Sequence, residues 1–195
     1  MLQVTVGRAD FVALGNEVQR RSYTLLTNKD DILALSDLND KKFYVEGFNA
    51  TYMSTRDWTV VDSPTEANYA IMRMEAPYTP RFEGLEVSFH AGTLEYNATM
   101  RAQHAAVFDV VPTIVDVIMD RPAAIPEVIE GAAAVFASYG SSPDAFLDIV
   151  FGVASPEGKL TFDLPRSNDA VEVAKEDVPF DTIDPVFRSG HGLRY

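Results

Sequence analysis

Short apolar runs alternate with segments of helical spacing along this chain, and glycine or proline separates most of them. Residues 41–47, 58–61, 69–74, 113–119 and 132–138 have the length and composition of strands. The runs at 113–119 and 132–138 are almost continuously apolar, as strands covered on both faces require. Residues 100–110 set Ala102, Ala105, Ala106 and Val107 at helical spacing, and residues 126–131 predict a short helix. Near the start, residues 17–26 read as a helix with Asn16 as its cap. Residues 1–15 carry no strong pattern and read as a linker-like segment ahead of a domain spanning 16–195.

The most patterned stretch comes last. Ser141, Ser142 and Asp144 offer helix caps, and Pro143 suits a first helical turn. Ala145, Leu147, Ile149, Val150 and Phe151 then supply an apolar face that Gly152 stops. A loop holding Pro156 and Gly158 leads to a predicted strand at 159–164, halted by Pro165. Gly190 and Gly192 flank His191 in a tight turn before Tyr195. Strands alternating with helices at short connections define an α/β class. The expected architecture is a three-layer α/β/α sandwich around a largely parallel sheet of five to six strands.

Four fragments of that last stretch stand in a telling order. They are Val150-Phe151-Gly152, Pro156-Glu157-Gly158-Lys159-Leu160, Pro165-Arg166-Ser167 and Gly190-His191-Gly192-Leu193. Together they resemble the end of the C-terminal α/β domain of glycoside hydrolase family 3, the β-glucosidase and β-xylosidase type. The run Gln19-Arg20-Arg21-Ser22-Tyr23-Thr24-Leu25-Leu26-Thr27-Asn28, followed by Ile32-Leu33-Ala34-Leu35, is similar to the start of the same domain. The resemblance implies the same fold and a part in retaining hydrolysis of β-linked glucosides or xylosides. It also implies a partner, an N-terminal (β/α)8 barrel that carries the aspartate nucleophile. Such a barrel takes about 250 residues, so this chain is expected to hold the second domain only and to be inactive alone. Two departures are visible: Ser141-Ser142-Pro143-Asp144 replaces a Gly-x-Glu-Gly loop, and Leu160-Thr161 replaces Leu-Pro. The first of them, together with Pro80, motivates the alternative of a stand-alone carbohydrate-binding or protein-interaction module that has lost catalysis.

Candidate chemistry gathers after the third of the predicted strands, in Glu75-Ala76-Pro77-Tyr78-Thr79-Pro80-Arg81-Phe82-Glu83-Gly84. Open α/β sheets bind ligands beyond the carboxyl ends of their strands. The segment resembles the family's Glu-x-Pro-Tyr, which implies a glutamate acting as general acid/base. A retaining glycosidase pairs such an acid with a nucleophile about 5 Å away. Thr79 and Pro80 take the place shortly after the tyrosine, and proline has no proton to donate. Glu83, directly before Gly84, matches the family's other arrangement and is the first candidate; Glu75 and Glu86 follow. The alternative is that these carboxylates solvate an exposed loop. Tyr78, Arg81, His90 and Trp58 are the candidate substrate-binding residues, with core packing as the other reading of Trp58. His104 reads as a surface or packing residue on a helix, and His191 as a structural plug.

Charge and composition narrow the partners. The net charge of −13 argues against nucleic acid. No cysteine is present and no histidine pair has ligand spacing with a carboxylate, so neither a metal nor another cofactor is expected. No apolar run is long enough to span a bilayer. The first residues lack the basic region and apolar core of a signal peptide, which makes a cytoplasmic location the expectation. The loop at 75–92 is expected to pack less well than the sheet. Phe48, Tyr52, Tyr78, Phe82 and Phe89 are expected near the loop face. They would either drive a homo-oligomer or be covered by the chain's own loops.

Overall fold

The structure, a computed structural model, describes residues 5–36, 38–49, 53 and 58–195, without the side chain of Glu86. Tyr52 lies outside the described residues. Six strands form one sheet: β1 (Thr24–Asn28), β2 (Lys42–Glu46), β3 (Thr59–Val61), β4 (Tyr69–Glu75), β5 (Thr113–Ile118) and β6 (Ala134–Ser138). Their order is β1-β6-β5-β4-β2-β3. Every neighbouring pair is parallel except β1 with β6. Among the described residues the α-helices are α1 (Ala9–Ser22), α2 (Ala98–Phe108), α3 (Pro126–Gly131), α4 (Pro143–Val150) and α5 (Asn168–Glu172).

The two-residue period of the strands divides the core. Leu26, Ala70, Met72, Val115, Val117, Val135 and Ala137 face one way, onto Val107 of α2 and Val128 and Ile129 of α3. Leu25, Ile71, Ile114, Ala134 and Phe136 face the other way, with Tyr23, onto Phe146, Leu147 and Val150 of α4. This is the expected α/β/α sandwich. One pair breaks the apolar rule. Asp116 is fully buried on the α4 face of β5, and the Arg73 guanidinium of β4 donates to it at 2.7 and 2.8 Å. The Tyr23 hydroxyl accepts from Arg73 at 3.1 Å, and the Phe48 ring lies under the guanidinium at 4.7 Å. Burial pushes the Asp116 carboxyl up, and Arg73 draws it back down.

Two local expectations are corrected. The helix expected at 17–26 is two elements: α1 runs back to Ala9, and β1 begins at Thr24. Leu25 and Leu26 are both buried, on opposite faces of the sheet, because β1 pairs with β6. A ladder of backbone hydrogen bonds and two-sided burial outweigh helix propensity there. Residues 159–164 do not join the sheet as a strand. Leu160 N–H donates to the His191 carbonyl at 2.8 Å, and Leu164 N–H to that of Phe187 at 2.8 Å. This extended segment lays Leu160 and Leu164 over the α2/α3 face instead. Gly158 lets it start so close to β1, since a Cβ there would lie 2.6 Å from the Ser22 carbonyl oxygen. His191 fits the plug reading: it stacks on Phe187 at 4.0 Å, with Nε2 2.8 Å from the Leu26 carbonyl oxygen. Among the described residues, no helix is long and apolar enough to cross a membrane.

Candidate functional site

The loop that leaves β4 is closed at its base. The Tyr96 hydroxyl donates to the Glu75 carbonyl at 2.5 Å, where the strand ends. Thr79 N–H donates to the Ala91 carbonyl at 2.8 Å, and Thr93 N–H to Thr79 Oγ1 at 3.1 Å, so the two limbs meet. Gly92 makes this possible: its φ is +75°, and a Cβ there would lie 2.3 Å from Thr79 Oγ1. Between the limbs, the rings of Tyr78 and His90 stack at 3.9 Å. His90 Nδ1 lies 2.9 Å from a carboxylate oxygen of Asp120, just beyond β5. Arg121 donates to the carbonyls of Pro77 (2.9 Å), Ala91 (3.2 Å), Gly92 (3.1 Å) and Thr93 (2.6 Å).

The descending limb is held from the C-terminal stretch as well. Asn168 Oδ1 accepts from Leu94 N–H at 2.8 Å, and its Nδ2 donates to Thr93 Oγ1 at 3.0 Å. Its own N–H donates to the Glu95 carboxylate at 2.8 Å. Ser167 caps α5 by accepting from Ala170 N–H at 3.1 Å. Pro165-Arg166-Ser167 therefore delivers Asn168 to the foot of the loop. The tip differs from the base. Phe82 is 87% exposed, Leu85 88% and Phe89 67%. The loose packing expected of residues 75–92 is confined to that tip.

A cleft of about 700 Å³ opens between the loop base, the ends of β2 and β4, and α2. That size is ordinary for a small-molecule site. Glu46, Glu75 and Glu95 line it, with Arg101 as the opposing charge and Met74, Tyr78, Tyr96 and Met100 as apolar surface. Burial, then Glu127 and Glu75, push the Tyr96 phenol up, so it remains a neutral donor. His104 presents its ring to Tyr96 edge-on at 4.8 Å, and burial holds its imidazole below the usual histidine range. The wall thus combines carboxylates, which accept hydrogen bonds from hydroxyl groups, with neutral rings on which an apolar face can rest.

The sequence candidates part company here. Glu75 and Tyr78 line the cleft, and His90 backs Tyr78. Arg81 and Glu83 stand on the exposed tip. Trp58 packs against Phe43 at 4.7 Å and Phe151 at 5.1 Å in the α4-side core, and its indole N–H donates to the Met53 carbonyl at 2.7 Å. Phe48, expected on the loop face, stacks on Phe146 at 5.9 Å instead. Sequence reasoning passed over Glu46, Glu95, Arg101 and the Asp120-Arg121 pair. Glu46 and Asp120-Arg121 stand at or just beyond the carboxyl ends of strands, and the position rule that singled out Glu75 applies equally to them.

Comparison with known proteins agrees with this architecture. Residues 54–195 match the family described as "Glycosyl hydrolase family 3 C-terminal domain". The chain is 60% identical over 191 residues to the "Probable beta-glucosidase C" of Aspergillus flavus, covering 97% of this chain and 30% of that protein. It is 32% identical over 197 residues to the "Periplasmic beta-glucosidase/beta-xylosidase" of Dickeya chrysanthemi, covering 96% of this chain and 29% of that one. The chain thus spans about a third of the length of these curated relatives. The solved β-glucosidase D2-BGL of Chaetomella raphigera superimposes with a TM-score of 0.74 over 96% of this chain and 36% of its own, at 17% identity, a likeness of fold. The chain belongs to glycosyl hydrolase family 3, as a C-terminal domain of that family.

Proposed function

We propose that this domain supplies the acid/base loop and one wall of the sugar cleft in a retaining β-glucosidase. Its nucleophile would come from a barrel domain elsewhere in a longer polypeptide. The observation that carries this reading is the loop rooted at the carboxyl end of β4. It bears Glu75 at the cleft and Glu83 at a projecting tip, in a chain 60% identical to a protein named as a probable β-glucosidase. Glu83 acts as the acid that protonates the leaving oxygen, and Glu75 and Tyr78 contact the sugar. The exposed rings of Phe82 and Phe89 meet the barrel, or a second copy of this chain where the barrel is absent.

Double displacement needs a nucleophile as well as an acid. The 195-residue chain alone therefore gives no turnover of an aryl β-glucoside, while the longer polypeptide that carries it does. Turnover by the isolated chain that vanishes in Glu83→Ala would overturn the division of labour. An inert longer polypeptide would overturn the glucosidase reading itself.

A further inference from the structure

We propose that Arg121 is the residue that positions the acid/base loop, setting the angle at which its two limbs leave the sheet. This rests on the reading of the loop as the carrier of the acid. A guanidinium is a planar fork of five N–H donors. In Arg121 the two terminal nitrogens reach carbonyls on both limbs: Pro77 on the ascending one, and Ala91, Gly92 and Thr93 on the descending one. Four carbonyl dipoles converging on one point repel each other unless a cation stands among them. Three of the four bonds come from Nη2 and the one to Gly92 from Nη1, so a side chain with one nitrogen keeps part of the set and methionine keeps none of it.

The fork is itself fixed. Met119 N–H donates to the Ser138 carbonyl at 2.7 Å, which holds the exit of β5 to β6, and Pro122 restricts the backbone just beyond. Asp120 grips the same limbs one residue earlier, through His90 and the ring that His90 stacks upon. The direction of the tip, and with it the carboxylate of Glu83, is thereby referred to β5 and β6, two interior strands of the sheet. General-acid catalysis is sensitive to such placement, since a displacement of about 1 Å can lower a rate about 100-fold.

Two measurements test this, on separate molecules. In the isolated chain, Arg121→Met should speed hydrogen exchange at the Thr79 and Thr93 amides about tenfold or more while Ile71 and Val115 in the sheet stay protected. Thr79→Val, which removes only the acceptor between the limbs, should speed exchange at Thr93 alone. In the longer polypeptide, Arg121→Met should lower kcat/KM for an alkyl β-glucoside about 100-fold. For 2,4-dinitrophenyl β-glucoside, whose leaving group needs no proton, the loss should be smaller by about tenfold or more, the remainder coming from the sugar contacts of Glu75 and Tyr78. A misplaced acid weighs mainly on the first substrate; a general loss of fold would lower both equally. Unchanged exchange at Thr79 and Thr93, or equal loss on both substrates, would overturn the proposal. If the wild-type polypeptide hydrolyses neither glucoside, the glucosidase reading fails, and the exchange result still decides whether Arg121 holds the loop.

Discussion

Two polar pairs draw on β5 and its exit, and their surroundings set them apart. Asp116 points from β5 into the α4-side core, where its side chain is fully buried and that of Arg73 is 11% exposed. Four residues on, Asp120 meets His90 at the loop base, with side chains 51% and 36% exposed. The inner pair is sealed by Phe48 and Phe146, whereas the outer pair is wet and joins a loop to a strand end. Burial decides what each can do. A sealed pair is costly to break on one side because the remaining charge is stranded in the core, while an exposed one contributes little energy and mainly fixes geometry.

The sharpest way to break that contrast is Arg73→Met. It leaves the Asp116 carboxylate buried and unpaired, at a cost of about 3–5 kcal/mol in urea unfolding at neutral pH. The loss has a direction with pH. Burial without Arg73 raises the folded-state pKa of Asp116 above its unfolded value, so the variant binds a proton more readily folded than unfolded. The deficit should shrink on acidification and grow as pH rises. A pH-independent loss would mean that Asp116 is not the source.

His104 gives a smaller effect of opposite sign. Burial lowers its folded pKa below the unfolded value, about 6.5. The unfolded chain therefore takes up a proton that the folded chain refuses, and stability drains away as pH falls through that range. His104→Gln should remove this component, visible as a flatter melting temperature between about pH 7 and pH 5 than in the wild type. An unchanged slope would contradict it.

At the exposed pair, Asp120→Asn should change stability by less than about 1 kcal/mol. It should still loosen the stacked Tyr78 and His90 rings, read from tyrosine and histidine NMR line shapes. The smallest stability change belongs to the tip. Phe82→Ser with Phe89→Ser should stay within about 0.5 kcal/mol of the wild type, since neither ring is packed. If the isolated chain self-associates at micromolar concentration, this pair of changes should restore the monomer mass in light scattering. An unaltered oligomer would remove the tip from the interface.

These contrasts also show what the sequence made legible. The β4 to β6 runs and the α4 cap were readable because covered strands demand unbroken apolar stretches, and because Ser142 and Pro143 mark a helix start locally. The β1 register was hidden. Thr24-Leu25-Leu26-Thr27 has no helix-breaking residue, and only pairing with β6 makes it a strand. Within the site, Glu75 and Tyr78 were found by their position after a strand. Arg121 was passed over because its four partners are backbone carbonyls, and carbonyls leave no mark in side-chain composition. Asn168 escaped for a similar reason: its partners lie more than seventy positions away.

The central claim is that the loop closed by these contacts carries the general acid of a two-part active site. The most direct measurement compares Glu83→Ala with wild type in the longer polypeptide, on an alkyl β-glucoside and on 2,4-dinitrophenyl β-glucoside. The account predicts a loss of about 10²–10⁴ in kcat/KM on the alkyl substrate and near-normal formation of the glycosyl intermediate from the dinitrophenyl one. Equal rates for variant and wild type on the alkyl substrate, with the same result for Glu75→Ala, would contradict it.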